Sequence, residues 1–172
     1  MPDLIRRSRR RPRRADGFSM IELLVAVFVM AVGVLGVVGL QLLSLQNNRN
    51  ALLRAEAARL AYDMMDRIRA NADPGTGIEY DGLALDAGPP AATDCRANNC
   101  TGAQMEAFDH AFWKCTLGGY NDEDVCTGLG VTGFLPDGDG AIELAGGVYT
   151  ITVQWQEPNA PAVSQVTIES TR

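Results

Sequence analysis

Residues 23–40, LLVAVFVMAVGVLGVVGL, form a run of eighteen positions with no charged and no polar side chain. At 1.5 Å per residue such a helix is about 27 Å long, close to the roughly 30 Å of a bilayer's hydrocarbon core. Residues 18–21 lengthen the span. A core helix of a soluble domain is the competing reading, but a domain of this size cannot cover an apolar helix on every side, so the run predicts a membrane helix. After Gln41 the pattern changes. Leu42, Leu45, Leu52, Leu53, Leu60, Ala61, Met64, Met65 and Ile68 recur at spacings of mostly three, four and seven, which predicts an amphipathic helix continuing to about Asn71, with Pro74-Gly75 as its stop. Its other face carries Arg54, Glu56, Arg59, Asp63, Asp66, Arg67 and Arg69. The Arg59/Asp63 and Asp63/Arg67 pairs at four-residue spacing suit a solvated face. A helix from Phe18 to Asn71 is about 80 Å long, more than a small domain can cover.

Residues 72–172 are written differently, in Gly, Asp and Thr with short apolar clusters and Pro89-Pro90 in a low-complexity stretch. Thr101-x-x-Gln104 is a capping-box pattern and predicts a helix with Met105, Phe108, Ala111 and Phe112 on one face and Trp113 in a core or interface. Residues 147–156 alternate apolar and polar positions, and residues 162–170 alternate again, predicting two strands joined by a turn at residues 158–161. Residues 141–145 predict a third, reached through Asp137-Gly-Asp-Gly140. The fold class is α+β: a long N-terminal helix, transmembrane and then amphipathic, packed on a small antiparallel sheet.

Charge is as segregated as hydrophobicity. Seven arginines in residues 1–17 face only Asp3 and Asp16, a net charge of +5, whereas the whole 172-residue chain carries −6 and residues 18–172 therefore carry −11. So acidic a body repels a phosphate backbone, which argues against nucleic acid as a partner. The basic block before the apolar run places residues 1–17 in the cytoplasm and the chain after about Gln41 outside it, in the periplasm of a bacterium. A general secretory signal also begins with positive charge, but it has a shorter apolar core and a small-x-small exit, and neither feature is present here.

The sequence offers little for catalysis. His110 is the one histidine, which leaves it without ligand partners for a metal or a nucleophilic site, so no enzyme, no cofactor and no metal centre is expected. Cys95, Cys100, Cys115 and Cys126 all follow the apolar run, and an even count outside the cytoplasm reads as two disulfides. Four cysteines allow three pairings. The pairing in chain order, Cys95–Cys100 with Cys115–Cys126, is the expectation, each bridge closing a local loop. A zinc site is the rival and fits poorly in ligand spacing and compartment. Asp137, Asp139 and Glu143 faintly resemble a calcium loop but lack its third acidic position, which favours a simple turn. The run Asn121-Asp-Glu-Asp124 is expected at the surface. Gly33, Gly36 and Gly39 permit close helix approach and predict local softness.

Glu22 is the exception in the apolar text, because an ionised carboxylate in hydrocarbon is costly unless it is paired or snorkels to the interface. Its context is a basic leader, then Gly17, then Phe18-Ser19-Met20-Ile21-Glu22, then the apolar run. This order resembles the class III signal of type IV prepilins and pseudopilins. The resemblance implies cutting between Gly17 and Phe18 by prepilin peptidase and methylation of the new amino terminus. It also implies an assembly role for Glu22, which would neutralise the terminal amine of a neighbouring subunit as it leaves the inner membrane lipid. A glycine before the cut presents no side chain to a protease cleft, and the cut creates a cation near the one acid of the apolar segment. Residues 60–71, 134–140 and 149–155 further resemble PilV-type minor pilins. That resemblance implies a subunit that primes pilus assembly with other minor pilins and the major pilin, and sits near the tip with an adhesin as a further partner. A minor pseudopilin of type II secretion is the alternative. The implied segments are a removed leader (1–17), the transmembrane half of the helix (18–41), its amphipathic half (42–71) and an exported globular domain (72–172).

Overall fold

The computed structural model describes residues 17–73, 75–158 and 161–171. The leader other than Gly17, Pro74 of the helix stop and two residues of the 158–161 turn lie outside them. The chain divides into two units, Met1–Leu45 and Gln46–Arg172, and helix α1, Met20–Asn71, contributes to both. Every described residue from 17 to 49 is exposed. The helix is unbroken through Gly33, Gly36 and Gly39, and a Cβ added at any of the three would meet nothing within 4 Å.

In the second unit α1 buries Leu53, Ala57, Leu60, Ala61, Met64, Met65 and Ile68, a stripe at helical spacing. Two further helices follow, α2 at Gly102–Leu117 and α3 at Asp124–Leu129, and then strands β1 (Asp139–Ala145), β2 (Val148–Trp155) and β3 (Ser164–Thr171). The three strands form one antiparallel sheet in the order β1-β2-β3. β1 and β2 are joined by Gly146-Gly147, both with positive φ (60° and 82°), the backbone that a two-residue type I′ turn requires.

The sheet's inward side chains, Ile142, Tyr149, Ile151, Val153 and Trp155, meet the α1 stripe, Trp113, Leu117, Tyr80 and Leu135 in one core. Trp113 is fully buried and its indole N–H donates to the Leu60 carbonyl of α1 at 2.9 Å, satisfying the polar atom of an otherwise apolar contact. Its ring also explains Gly140, where an added Cβ would lie 2.4 Å from the indole carbon Cη2. A second, smaller cluster holds Phe108, Ala111, Cys115, Cys126 and Leu129, with Met105 and Phe112 packed against it. The capping box of α2 is complete: Gln104 N–H donates to Thr101 Oγ1 at 3.3 Å, and Thr101 N–H to Gln104 Oε1 at 2.9 Å.

Two features depart from the sequence expectation. Helix α3 begins inside the acidic run, whose residues 122–124 are exposed. On α1, Arg59 pairs with Glu56 three residues back instead of Asp63, and Arg67 bonds both Asp63 at 3.0 Å and the buried Asp109 of α2 at 2.8 Å. The charged face is thus solvated only in part. Asp109 also accepts the Tyr80 phenol at 2.6 Å, and Asn71 Nδ2 reaches the Tyr80 oxygen and the Gly102 carbonyl. This network ties the end of α1, the following loop and α2 together.

Candidate processing and assembly site

Gly17, Phe18 and Ser19 precede the first helical residue, and the first helical hydrogen bonds, from Glu22 N–H at 3.1 Å and Leu23 N–H at 3.2 Å, both end on the Ser19 carbonyl. Ser19 therefore sits at the N-cap. Glu22 is the third residue of the helix and lies in its first turn, where unpaired N–H groups and the positive end of the helix dipole favour an anion. A carboxylate there needs less help than one deep in the span. Serine followed three residues later by glutamate is also the sequence of a capping box, a cue to this placement readable in residues 19–22.

Phe18, Glu22, Ala26 and Met30 follow one another at four-residue spacing and line one shallow apolar groove with Leu23 and Val27 beside them. Phe18 is 85% exposed. The acid is thus the polar member of an otherwise greasy face, one turn from the residue that follows Gly17. A cation presented to this face would find a single carboxylate and otherwise only hydrocarbon, conditions under which a lone charge is costly and a pair is tolerated. The helix is long and apolar enough to cross a membrane.

The other singled-out residues lie in the second unit. Cys95 is bonded to Cys100 and Cys115 to Cys126. No described cysteine is left as a thiolate for a metal, and no described cluster of His, Cys, Asp and Glu is arranged to hold one. His110 is buried on α2 with its ring edge-on to Tyr80, centroids 5.2 Å apart. Burial lowers its pKa against an opposing pull from Asp109. Asp137 stands at a positive φ of 48°, as a turn residue. Asp139 is occupied by protein donors: the N–H groups of Asp86 and Gly140 and the ammonium of Lys114.

Lys114 escaped the sequence reading. It is fully buried, donates to the Ala84 carbonyl at 2.8 Å as well as to Asp139, and its pKa is lowered by burial, with Asp139 pulling the other way. Its flanking Trp113 and Cys115, both in the core, were the available cue.

Two family descriptions match the chain. The prokaryotic N-terminal methylation motif covers residues 12–38, and "Type IV pilin Tt1218" covers residues 39–111. The two matches abut, and together they run from the leader through α1 into α2. No curated protein and no solved structure matches the chain.

Proposed function

This chain is a type IV pilin-like protein, and from that premise we propose that it is a PilV-type minor pilin that helps prime assembly of the type IV pilus and stays near its tip. The observation that carries the reading is the sequence order Gly17-Phe18-Ser19-Met20-Ile21-Glu22 opening an exposed apolar helix. Prepilin peptidase cuts after Gly17 on the cytoplasmic face and methylates Phe18. The mature chain then rests in the inner membrane with its new amino terminus at the cytoplasmic face and its disulfide-bonded domain in the periplasm. Glu22 receives the terminal amine of a neighbouring subunit as both leave the lipid, so that two charges are buried together and not singly. The subunit itself performs no reaction; it is the peptidase's substrate.

The minor-pilin assignment draws support from the likeness of residues 60–71, 134–140 and 149–155 to PilV-type subunits. The acidic body points to protein partners, other minor pilins, the major pilin and a tip adhesin, and away from nucleic acid. The test is isolation of the protein from its own cell. A mass corresponding to residues 18–172 with a methylated amino terminus, in a complex with other minor pilins, is the expected result. An intact leader overturns the processing step, and recovery with type II secretion components instead assigns the chain to that machinery. Glu22→Leu should leave membrane insertion normal and abolish incorporation into filaments.

A further inference from the structure

The two edges of the sheet are treated differently. Along β1 the loop at residues 81–86 covers the edge: Ile142 N–H donates to the Leu83 carbonyl at 2.8 Å, Leu144 N–H to Asp81 Oδ1 at 2.9 Å, and Asp139 accepts Asp86 N–H. Along β3 no described segment pairs with the outer edge. That edge is eight residues long and in unbroken register with β2 from Ser164 to Thr171, without bulge, proline or lysine. Sheet edges that stay solitary are ordinarily blunted by one of those devices. The core is open on the same side. Val166 and Ile168 are only partly buried, whereas their partners on β2, Val153 and Ile151, have no exposure at all.

The wall beside this edge is also defined. Arg69 of α1 donates to Ser170 Oγ of β3 at 2.9 Å, which fixes the flank of α1 facing the strand. Tyr62, seven residues earlier and so on the same flank, is 60% exposed, and Val163 leads into the strand 56% exposed. An unpaired row of backbone donors and acceptors beside a half-open apolar strip fits an extended peptide segment, with alternate side chains directed into the strip. The charge selects the kind of segment. Residues 46–172 hold eight basic against eighteen acidic side chains, a net charge of −10, with Glu169 on the outward face of β3 itself. A second copy would bring the same charge.

We propose that β3 is a strand-addition site that accepts an extended, basic segment of a different polypeptide, apolar on the side turned to Val166, Ile168 and Tyr62. The experiment uses the full chain in lipid nanodiscs and follows amide hydrogen exchange with a capped octapeptide alternating valine and lysine. The alternate amides of Ser164–Thr171 that do not bond β2 should exchange at least about tenfold more slowly with peptide present, with those of β1 unchanged. The same peptide N-methylated at alternate residues should give no protection, and a valine–glutamate peptide should bind at least about tenfold more weakly. Absence of protection at millimolar peptide overturns the proposal, as does equal protection by the N-methylated peptide. Protection that rises with protein concentration and needs no peptide overturns it in favour of a second copy. Equal binding of the glutamate peptide overturns the choice of a basic partner.

Discussion

The ammonium of Lys114, in the last turn of α2, is bonded to the carboxylate of Asp139 at the first position of β1. The lysine is fully buried, while the aspartate keeps a margin of exposure and two backbone N–H donors. The two ends of this pair therefore respond differently to removal.

Asp139→Ala should destabilise the second unit by about 3–5 kcal/mol, because it leaves a buried cation without its counter-charge. Lys114→Met keeps most of the volume and leaves Asp139 its N–H donors, so its cost should be clearly smaller. Urea unfolding of the two variants checks the order. Equal losses would mean that the pair, and not the stranded charge, governs the effect.

Gly140→Ala places a methyl 2.4 Å from the Trp113 ring. Both groups belong to a filled core, so the indole or β1 must shift, at a cost of about 1–3 kcal/mol. A lowered Tm with a changed tryptophan fluorescence maximum is the expected reading.

His110 titrates against its burial. Its pKa is lowered in the folded chain, so the unfolded chain binds more protons just below the ordinary value of about 6.5. Stability is therefore fully present above that value and falls as pH drops through it, with a slope of at most about 1.4 kcal/mol per pH unit. His110→Gln should flatten the fall in unfolding free energy as pH drops below about 6.5. Loss from the lowered carboxyl of Glu56, which its hydrogen bond to Arg59 holds down, appears only below its ordinary 4.5.

The disulfides differ in access. Cys115 and Cys126 are fully buried, whereas Cys95 and Cys100 are not. Mild reductant should open Cys95–Cys100 first, as mass spectrometry after alkylation would show. Their sequence separations are 5 and 11 residues. Removing Cys95–Cys100 by paired serine substitution should cost about 2 kcal/mol and removing Cys115–Cys126 about 3 kcal/mol by loop entropy, the latter more for its lost packing.

The elements that the sequence disclosed are those with a strong period or a local chemical signature. The α1 stripe repeats at helical spacing from Leu53 to Ile68, the three strands alternate, and Thr101 with Gln104 marks the start of α2. What stayed hidden depends on contacts distant in the chain. Helix α3 has six residues, including a valine, a threonine and a glycine, and so no period to detect. Arg67 offers a local partner in Asp63, and only the fold shows that it also reaches Asp109, 42 residues on. Lys114 is a charged residue whose counter-charge lies 25 residues away. In Asp137-Gly-Asp-Gly140 the turn chemistry was legible, but β1 already begins at Asp139 because β2 offers Gln154 as its pairing partner. At the amino end, Gly17, Phe18 and Glu22 were legible as a motif because that signal is written in consecutive residues.

Trp113 has a mechanical consequence. Its indole N–H grips the Leu60 carbonyl about three turns before the end of α1, and its ring seats the glycine at the start of β1. Tension drawn along the long helix of a filament subunit would thus pass at Leu60 into α2 and the sheet together, sharing the load across the domain before any single strand is peeled.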